Sequence, residues 1–544
     1  DDDSDEEEQE ENQMQQTTVS QSVPPTKEKN KYSKCPERLA SLRSAHNLFC
    51  ETIPTNYDQA VISEEKENWY NAMKSELKSL EEHNVFEIVP RKDSQNVIPL
   101  KWIFKIKPTE QGPLYKARLV AQGFKQETSN ENSYAPVVSY ANIRSTIAYA
   151  ARNNHPLFQF DVRTAFLNGF LDEEVYVKFP PGFQPENNDS VLKLKKSLYG
   201  LRSSPKNWYE HFKQILENFG LNQSLYDPCL FFNKQIVLAI YVDDGLITGK
   251  QENIKAFSDY LKSHLTFEIK IAHSFLGINI ERKENFYVIN SSTYIEKINE
   301  ALKLDQMKPY HVPISTSFVY DPQATIDTSL PYRQLVGILN HLSITTRPDL
   351  SFATSFFSRF LNRPTNQLYK AALKSLTYVF QTRTCGLSYH CTEKFFGYTD
   401  ATFSENCQFG YIIFTNGAIE WVSKRSSTAH LSSNDAEICA LSEGFRSVMR
   451  ITNILREIDP QFVEIPVLQT DSLGIVKTLE NGNLSNKLRH INIANLIVLQ
   501  AVRNNEVQIE WIPGEHQLAD GLTKAVPQNK IQDLLKSLDL SSLK

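Results

Sequence analysis

At 544 residues, 40% apolar and 22% charged, the chain is long enough to bury three or four cores at about 150 residues each. No apolar run approaches the ~18–20 residues of a membrane span and the first residues show no secretory pattern, which argues against a spanning or secreted protein and for a soluble, intracellular one. The formal charge is −6, but nine of the first eleven residues are acids and none is a base, so the remainder carries +3.

In chain order, that acidic run passes into a Gln/Ser/Thr/Pro stretch without periodicity, which cannot bury enough apolar surface to fold alone; residues 1–56 are expected to be a disordered lead-in. The Asp at position 1 suggests a proteolytic product or a segment of a longer polyprotein. Next comes a basic group, Lys101, Lys105, Lys107, Lys116, Arg118 and Lys125, interleaved with Trp102, Phe104 and Tyr115, a composition suited to phosphates and a nucleic-acid strand. Leu157–Phe160 reads as a strand ending in a carboxylate, Asp161, followed by a segment able to turn into a helix. A second basic group, Lys193, Lys195, Lys196 and Arg202, precedes two apolar runs, Ile236–Val242 and Leu246–Ile247. Between those runs lies Asp243-Asp244-Gly245, read as a hairpin turn in which Gly245 takes a positive φ. Seven cysteines, at 35, 50, 229, 385, 391, 407 and 439, are dispersed without Cys-x-x-Cys or paired His spacing, as expected of reduced thiols and not of a zinc site.

Toward the C-terminus, 395–414 reads as two strands joined by a polar turn, with Asp400 near the end of the first. Residues 431–446 open with serines suited to a helix N-cap and carry Glu437 on the first turns. Residues 466–479 form a strand ending at Asp471 and then a helix; 505–524 form a strand, a loop and a helix bearing Asp520. Two groups of acids thus stand at strand ends and helix starts. The upstream group makes a hard-oxygen site suited to two Mg²⁺ ions ~3.5–4 Å apart for in-line phosphoryl transfer.

The stretch LAIYVDDGLITG (238–249) with the upstream FQFDVRTAFLNG (158–169) resembles the palm of a reverse transcriptase. Residues 69–89, 100–126, 193–212 and 336–365 resemble, in the same order, the opening segment, fingers hairpin, nucleotide-pocket segment and helical thumb and connection of copia-type (Pseudoviridae) LTR-retrotransposon Pol polyproteins. The ordered acids Asp400, Glu437, Asp471 and Asp520, with EWVSKRSSTAHLSSNDAEICAL (420–441) and HQLADGLTK (516–524), resemble the ribonuclease H region of that family. The resemblance implies an α+β multidomain chain: right-hand polymerase fingers and palm over 57–290, thumb and connection over 291–392, then an α/β ribonuclease H-like domain over 393–544.

It implies RNA- and DNA-directed DNA polymerisation with hydrolysis of RNA in RNA–DNA hybrids. Asp161 with its neighbour Val162, Asp243 and Asp244 would form one ligand set for two Mg²⁺ (or Mn²⁺) ions, and Asp400, Glu437, Asp471 and Asp520 the other. Lys105 and Arg118, with Lys101 as a substitute for Lys105, would contact the triphosphate; Tyr199 and Gly200 would line the base and sugar; Phe166 would sit under the sugar 2′ position. His516, in a loop four residues before Asp520, suits proton transfer or product release. Implied partners are an RNA template, the RNA–DNA hybrid, a tRNA-derived primer, dNTPs, the element's capsid and integrase, and a second copy of the chain, in a cytoplasmic virus-like particle with nuclear entry of the replication complex. The sequence departs from the family pattern at Gly245, where a bulkier apolar residue is usual, at Asp435, where Glu is common, and at Ser472, where Asn is frequent.

Overall fold

The computed structural model describes residues 53–92, 96–109, 112–126, 133–184, 189–392, 394–404, 407–427, 429–430, 432–481 and 493–538. The expected lead-in falls almost wholly outside the described residues.

Strict alternation over 100–121 makes a two-stranded antiparallel hairpin, Leu100–Thr109 with Gly112–Ala121. Trp102, Phe104, Ala117 and Leu119 point to one face, where the helix Lys66–Glu82 covers them with Trp69, Met73 and Leu80. The Trp69 ring meets Phe104 at 5.1 Å and Tyr115 at 4.7 Å, edge to face. The register sets Lys105 opposite Lys116 and Ile103 opposite Arg118, so the basic side chains share the other face. The hairpin shares an apolar core with that helix and with residues between 167 and 201, among them Val175, Leu192 and Leu194, separate from the larger core of the rest of the molecule.

The centre is an antiparallel six-stranded sheet in the order Phe267–Ile271, Leu157–Val162, Asp244–Gly249, Ile236–Tyr241, Leu230–Phe232, Asn222–Gln223. Ile236 to Ile240 are all buried, so this strand is covered on both faces. The helix Tyr140–Arg152, capped by Ser139, packs beside it and is buried almost all round. A smaller sheet follows, Ser274–Phe275, Ile278–Arg282 and Tyr287–Asn290, and its last strand comes from Leu387–Tyr389. The helices between, Ser292–Leu302, Tyr332–Thr345, Ser351–Ser358 and Asn366–Gln381, form a loop-out closed by that strand pair. At their centre the fully buried Arg347 donates from Nε and Nη2 to the two oxygens of Asp349, at 2.9 and 2.8 Å, and the Tyr378 hydroxyl donates to Asp349 at 2.7 Å. The buried charges are therefore paired and hydrogen-bonded, the condition under which they are tolerated.

The C-terminal part is a five-stranded sheet in the order Ala418–Arg425, Gln408–Thr415, Phe395–Thr402, Val467–Thr470, Gln508–Trp511; the first three strands are antiparallel and the last two run parallel to Phe395–Thr402. A 26-residue helix, Ser433–Ile458, packs on it. Its start was legible: the Ser432 side chain accepts from the Asp435 amide at 3.2 Å.

One buried cation joins the C-terminal sheet to the centre. Arg144 donates through Nε to the Ile419 carbonyl at 2.6 Å and through Nη1 to those of Ile344 and Thr345 at 2.9 and 2.8 Å. Its guanidinium lies 4.0 Å from the Trp421 ring centroid, and the Trp421 indole donates to the Ser343 carbonyl at 2.6 Å. Burial lowers the Arg144 pKa to about 10, so it remains charged at neutral pH. No helix among the described residues is long and apolar enough to cross a membrane.

Candidate active site

The expected hairpin is present, but its turn sits one residue earlier than Asp-Asp-Gly. Val242 and Asp243 are the central residues, and Asp244 already opens the next strand, paired with Tyr241. Val242, not Gly245, has the positive φ, +59°, a conformation costly for a β-branched side chain. Two hydrogen bonds hold it there: Trp208 Nε1 donates to the Val242 carbonyl at 2.7 Å, and the Val162 amide to the Asp243 carbonyl at 2.9 Å. Gly245 serves close approach instead. A Cβ there would lie 2.2 Å from Cζ of Phe160, whose ring fills that space against Phe212, Phe257 and Phe267. The departure from the family pattern is thus a size exchange between two neighbouring strands. Gly245→Val should lower the melting temperature by the equivalent of about 1–3 kcal/mol of overpacking, and adding Phe160→Leu should recover part of it. A thermal melt of the single and double variants decides; no loss in the single variant would dismiss the exchange.

The turn brings three acids together. Asp244 is the cross-strand partner of Asp161, with Asp243 beside both at the tip. Burial first, then Asp243, raise the pKa of Asp161; burial, Asp243 and Asp161 push Asp244 up to about 6. Acids that raise one another in this way form a donor set that a hard cation relieves. Lys107 and Arg118 are the cations that oppose the rise at Asp161, and Lys116 in turn feels Asp161. Lys107 and Lys116 belong to the basic group read from the sequence, but the triphosphate was assigned there to Lys105, Arg118 and Lys101. The signal was available, because alternation places Lys107 on the face of Lys105 and the hairpin register sets Lys116 across from Lys105.

Lys101 and Lys105 line an open cavity of about 420 Å³ with Ile53, Pro54 and Thr55, and among the described residues no carboxylate lies in its wall. Arg118 lies 4.9 Å above the Tyr199 ring, and Tyr199 meets Phe166 edge to face at 5.3 Å. Phe166 is half-buried on a short 3₁₀ turn, Ala165–Asn168, directly after the Asp161 strand. Gly200, at φ +89°, lies so close to the hairpin that a Cβ would be 2.2 Å from the Ala121 carbonyl, which explains the residue by packing.

In the C-terminal sheet Asp400, Glu437 and Asp471 converge, with ligand oxygens within 4.8 Å of one another. Among the described residues this is the group close enough to share one ion; Asp161, Asp243 and Asp244 are not drawn that tightly. Glu437 Oε2 is buried without a hydrogen-bond partner, and burial, then Asp400 and Asp471, push the Glu437 pKa to about 8. An orphaned buried oxygen among three carboxylates fits a divalent cation. Burial raises Asp400 too, against the pull of Lys524 and a hydrogen bond from the Thr523 hydroxyl.

Asp520 lies next to this group but is held by lysines. Lys524 Nζ is 2.7 Å from its Oδ1 and 3.7 Å from Asp400 Oδ2; Lys530 Nζ is 3.3 Å from its Oδ2. Lys530 also donates to the Gly514 and Glu515 carbonyls at 2.7 and 2.9 Å, fixing the loop that carries His516. His516 itself is exposed and 3.7 Å from Glu515. Sequence reading missed both lysines, although Lys524 stands four residues after Asp520, within reach on one helical turn. The other two departures are absorbed locally: His430 bridges Asp435, at 3.2 Å, and Ser426, at 2.8 Å, while Ser472 Oγ lies 3.5 Å from Asn434 Oδ1.

Residues 83–316, which contain the hairpin, the central sheet and its three acids, match the family described as reverse transcriptase (RNA-dependent DNA polymerase). The chain therefore carries a reverse transcriptase domain. It is 30% identical over 508 residues to the Retrovirus-related Pol polyprotein from transposon TNT 1-94 of Nicotiana tabacum, covering 88% of this chain and 38% of that protein. It is 29% identical over 520 residues to that from transposon RE1 of Arabidopsis thaliana (91% and 35%), and 25% over 533 residues to the Transposon Ty1-GR1 Gag-Pol polyprotein of Saccharomyces cerevisiae (90% and 30%). It belongs to the reverse transcriptase region of copia-type retrotransposon Pol polyproteins and spans about a third of the length of these curated relatives.

Proposed function

We propose that the chain copies RNA and DNA templates into DNA at Asp161, Asp243 and Asp244, and hydrolyses the RNA of RNA–DNA hybrids at Asp400, Glu437, Asp471 and Asp520. The observation that carries the polymerase reading is the cross-strand pairing of Asp161 with Asp244, with Asp243 at the adjoining tip. In this reading the Leu100–Ala121 hairpin is the fingers and the central sheet the palm, together 57–290. The helices of 291–392 are the thumb and connection, and 393–544 the ribonuclease H domain. Phe395–Thr402 paired in parallel with Val467–Thr470, under a long helix bearing Glu437, supports the last assignment.

Asp161, Asp243 and, less directly, Asp244 would hold two Mg²⁺ or Mn²⁺ ions, and the four C-terminal acids two more, with Val162 fixing the polymerase turn through its amide. Bound there, such ions acidify an attacking hydroxyl or water and neutralise charge on the leaving group. Lys107, Lys116 and Arg118 bind the triphosphate from the outer face of the hairpin, with Lys105 beside them. Tyr199 and Phe166 form an aromatic wall on the sugar side, the Tyr199 ring fixed under the Arg118 guanidinium. His516, on the loop tethered by Lys530, is placed to exchange protons with solvent. The names of the relatives, Pol and Gag-Pol polyproteins of transposons, support nucleic-acid templates and proteins co-encoded by the element as partners; in this reading they are the element's RNA, a tRNA-derived primer, capsid and integrase, and a second copy of the chain, in a cytoplasmic virus-like particle with nuclear entry of the replication complex.

Primer extension on an RNA template with dNTPs and Mg²⁺ tests the reading; a folded chain that makes no DNA overturns it. In the same assay Phe166→Ala should open room for a 2′-hydroxyl and shift selection toward ribonucleotides by about 1–3 kcal/mol. Unchanged selection would reduce Phe166 to a packing partner of Tyr199.

A further inference from the structure

The C-terminal acids already have a cation. Lys524 follows the single helical turn Asp520–Thr523 and reaches back so that Nζ lies 2.7 Å from Asp520 Oδ1 and 3.7 Å from Asp400 Oδ2. One ammonium thus lies against two of the four acids, from opposite ends of the domain's sequence. Asp400 Oδ2 also accepts from the Thr523 hydroxyl, so that oxygen is engaged twice from the same turn.

The two lysines on Asp520 differ in how they are held. Lys530 is bound to two backbone carbonyls, and its side chain is 22% exposed. Those bonds give it a fixed place whatever happens at the acids. Among the described residues Lys524 shows no such anchor: it pairs with the acids themselves, and its side chain is 44% exposed. It is built to leave, whereas Lys530 is built to stay. All three converging acids feel Lys524, which lowers the pKa of Asp400 and Glu437 and is itself raised by Asp471.

We propose that Lys524 is a resident counter-ion of the C-terminal acidic site, which a divalent cation must displace before these acids can hold it, so that this side chain sets the metal affinity of the site. The inference rests on reading these acids as a metal centre. Lys530 keeps Asp520 and the His516 loop in place during the exchange. An ammonium that occupies its place about nine-tenths of the time weakens apparent metal binding about tenfold.

The test is a titration of the full chain with Mn²⁺, free ion read by electron paramagnetic resonance, without nucleic acid. The background is Asp161→Asn with Asp243→Asn, so that binding reports the C-terminal acids. Lys524→Met keeps the length and removes the charge; it should tighten Mn²⁺ binding about tenfold, while Lys524→Arg should retain the weaker binding of the parent. Should the Met variant fail to fold, shown by its melt, Lys524→Gln is read in its place. Equal or weaker Mn²⁺ binding in the uncharged variant overturns the counter-ion role and leaves the metal-centre reading standing. No Mn²⁺ bound by the parent or by the uncharged variant removes the metal centre and the inference together.

Discussion

Asp243→Asn should cut primer extension by about 10²-fold or more, the scale on which loss of one preorganised electrostatic group is felt, while the fold survives. Asparagine keeps the volume and is at home in a turn. The two hydrogen bonds that fix the turn come from Trp208 and Val162 to backbone carbonyls, so neither depends on the lost charge. What goes is one of three adjacent negative charges. Because Asp243 is the second cause of the raised pKa at Asp161 and at Asp244, both should ionise at lower pH in the variant. Extension is measured on an RNA template beside a thermal melt. An unaltered rate in a folded Asp243→Asn chain would remove the polymerase site from this hairpin.

Glu437→Gln should abolish RNA cleavage in a hybrid and leave extension largely intact, since the two acid groups stand on different sheets. The same change should stabilise the protein in the absence of divalent metal. The Glu437 carboxyl, ordinarily near 4.5, is pushed to about 8 in the fold. The folded state therefore holds a proton that the unfolded state gives up, and stability falls as pH rises from the ordinary value toward the raised one. Glutamine carries no such proton, so its melting temperature should exceed that of the parent by several degrees at pH 8, with the gain shrinking toward pH 5. Hybrid cleavage, extension and melts at the two pH values check the three parts. Loss of extension along with cleavage in a folded variant would mean that the acids do not work independently.

Much of this site was legible because it is local. A strand ending at Asp161, two apolar runs around Asp243-Asp244 and a serine cap ahead of Glu437 each occupy a few residues, and period and cap chemistry determine them. What escaped depends on partners far along the chain. The turn residue with positive φ could not be chosen between Val242 and Gly245 without Trp208, 34 residues away, or without the Phe160 ring that claims the space at Gly245. From sequence Lys105, with Lys101 as its substitute, was preferred for the triphosphate over Lys107 and Lys116; that Lys107 is the lysine acting on Asp161 follows only once the hairpin is set against the sheet. Arg144 sits in a helix whose apolar character gave no hint that its charge would be spent on carbonyls some 200 and 275 residues downstream.

That last contact bears on how such a chain can change over generations. A guanidinium with three carbonyl acceptors and an indole lid, drawn from two distant stretches, makes those stretches one heritable unit. A crossover between related copies that replaced the stretch around Trp421 but kept Arg144 would leave a buried charge without its lid, and the reciprocal product would lack the charge that its carbonyls expect. Where the parents differ at position 144 or 421, mosaic descendants should therefore carry Arg144 and Trp421 from one parent.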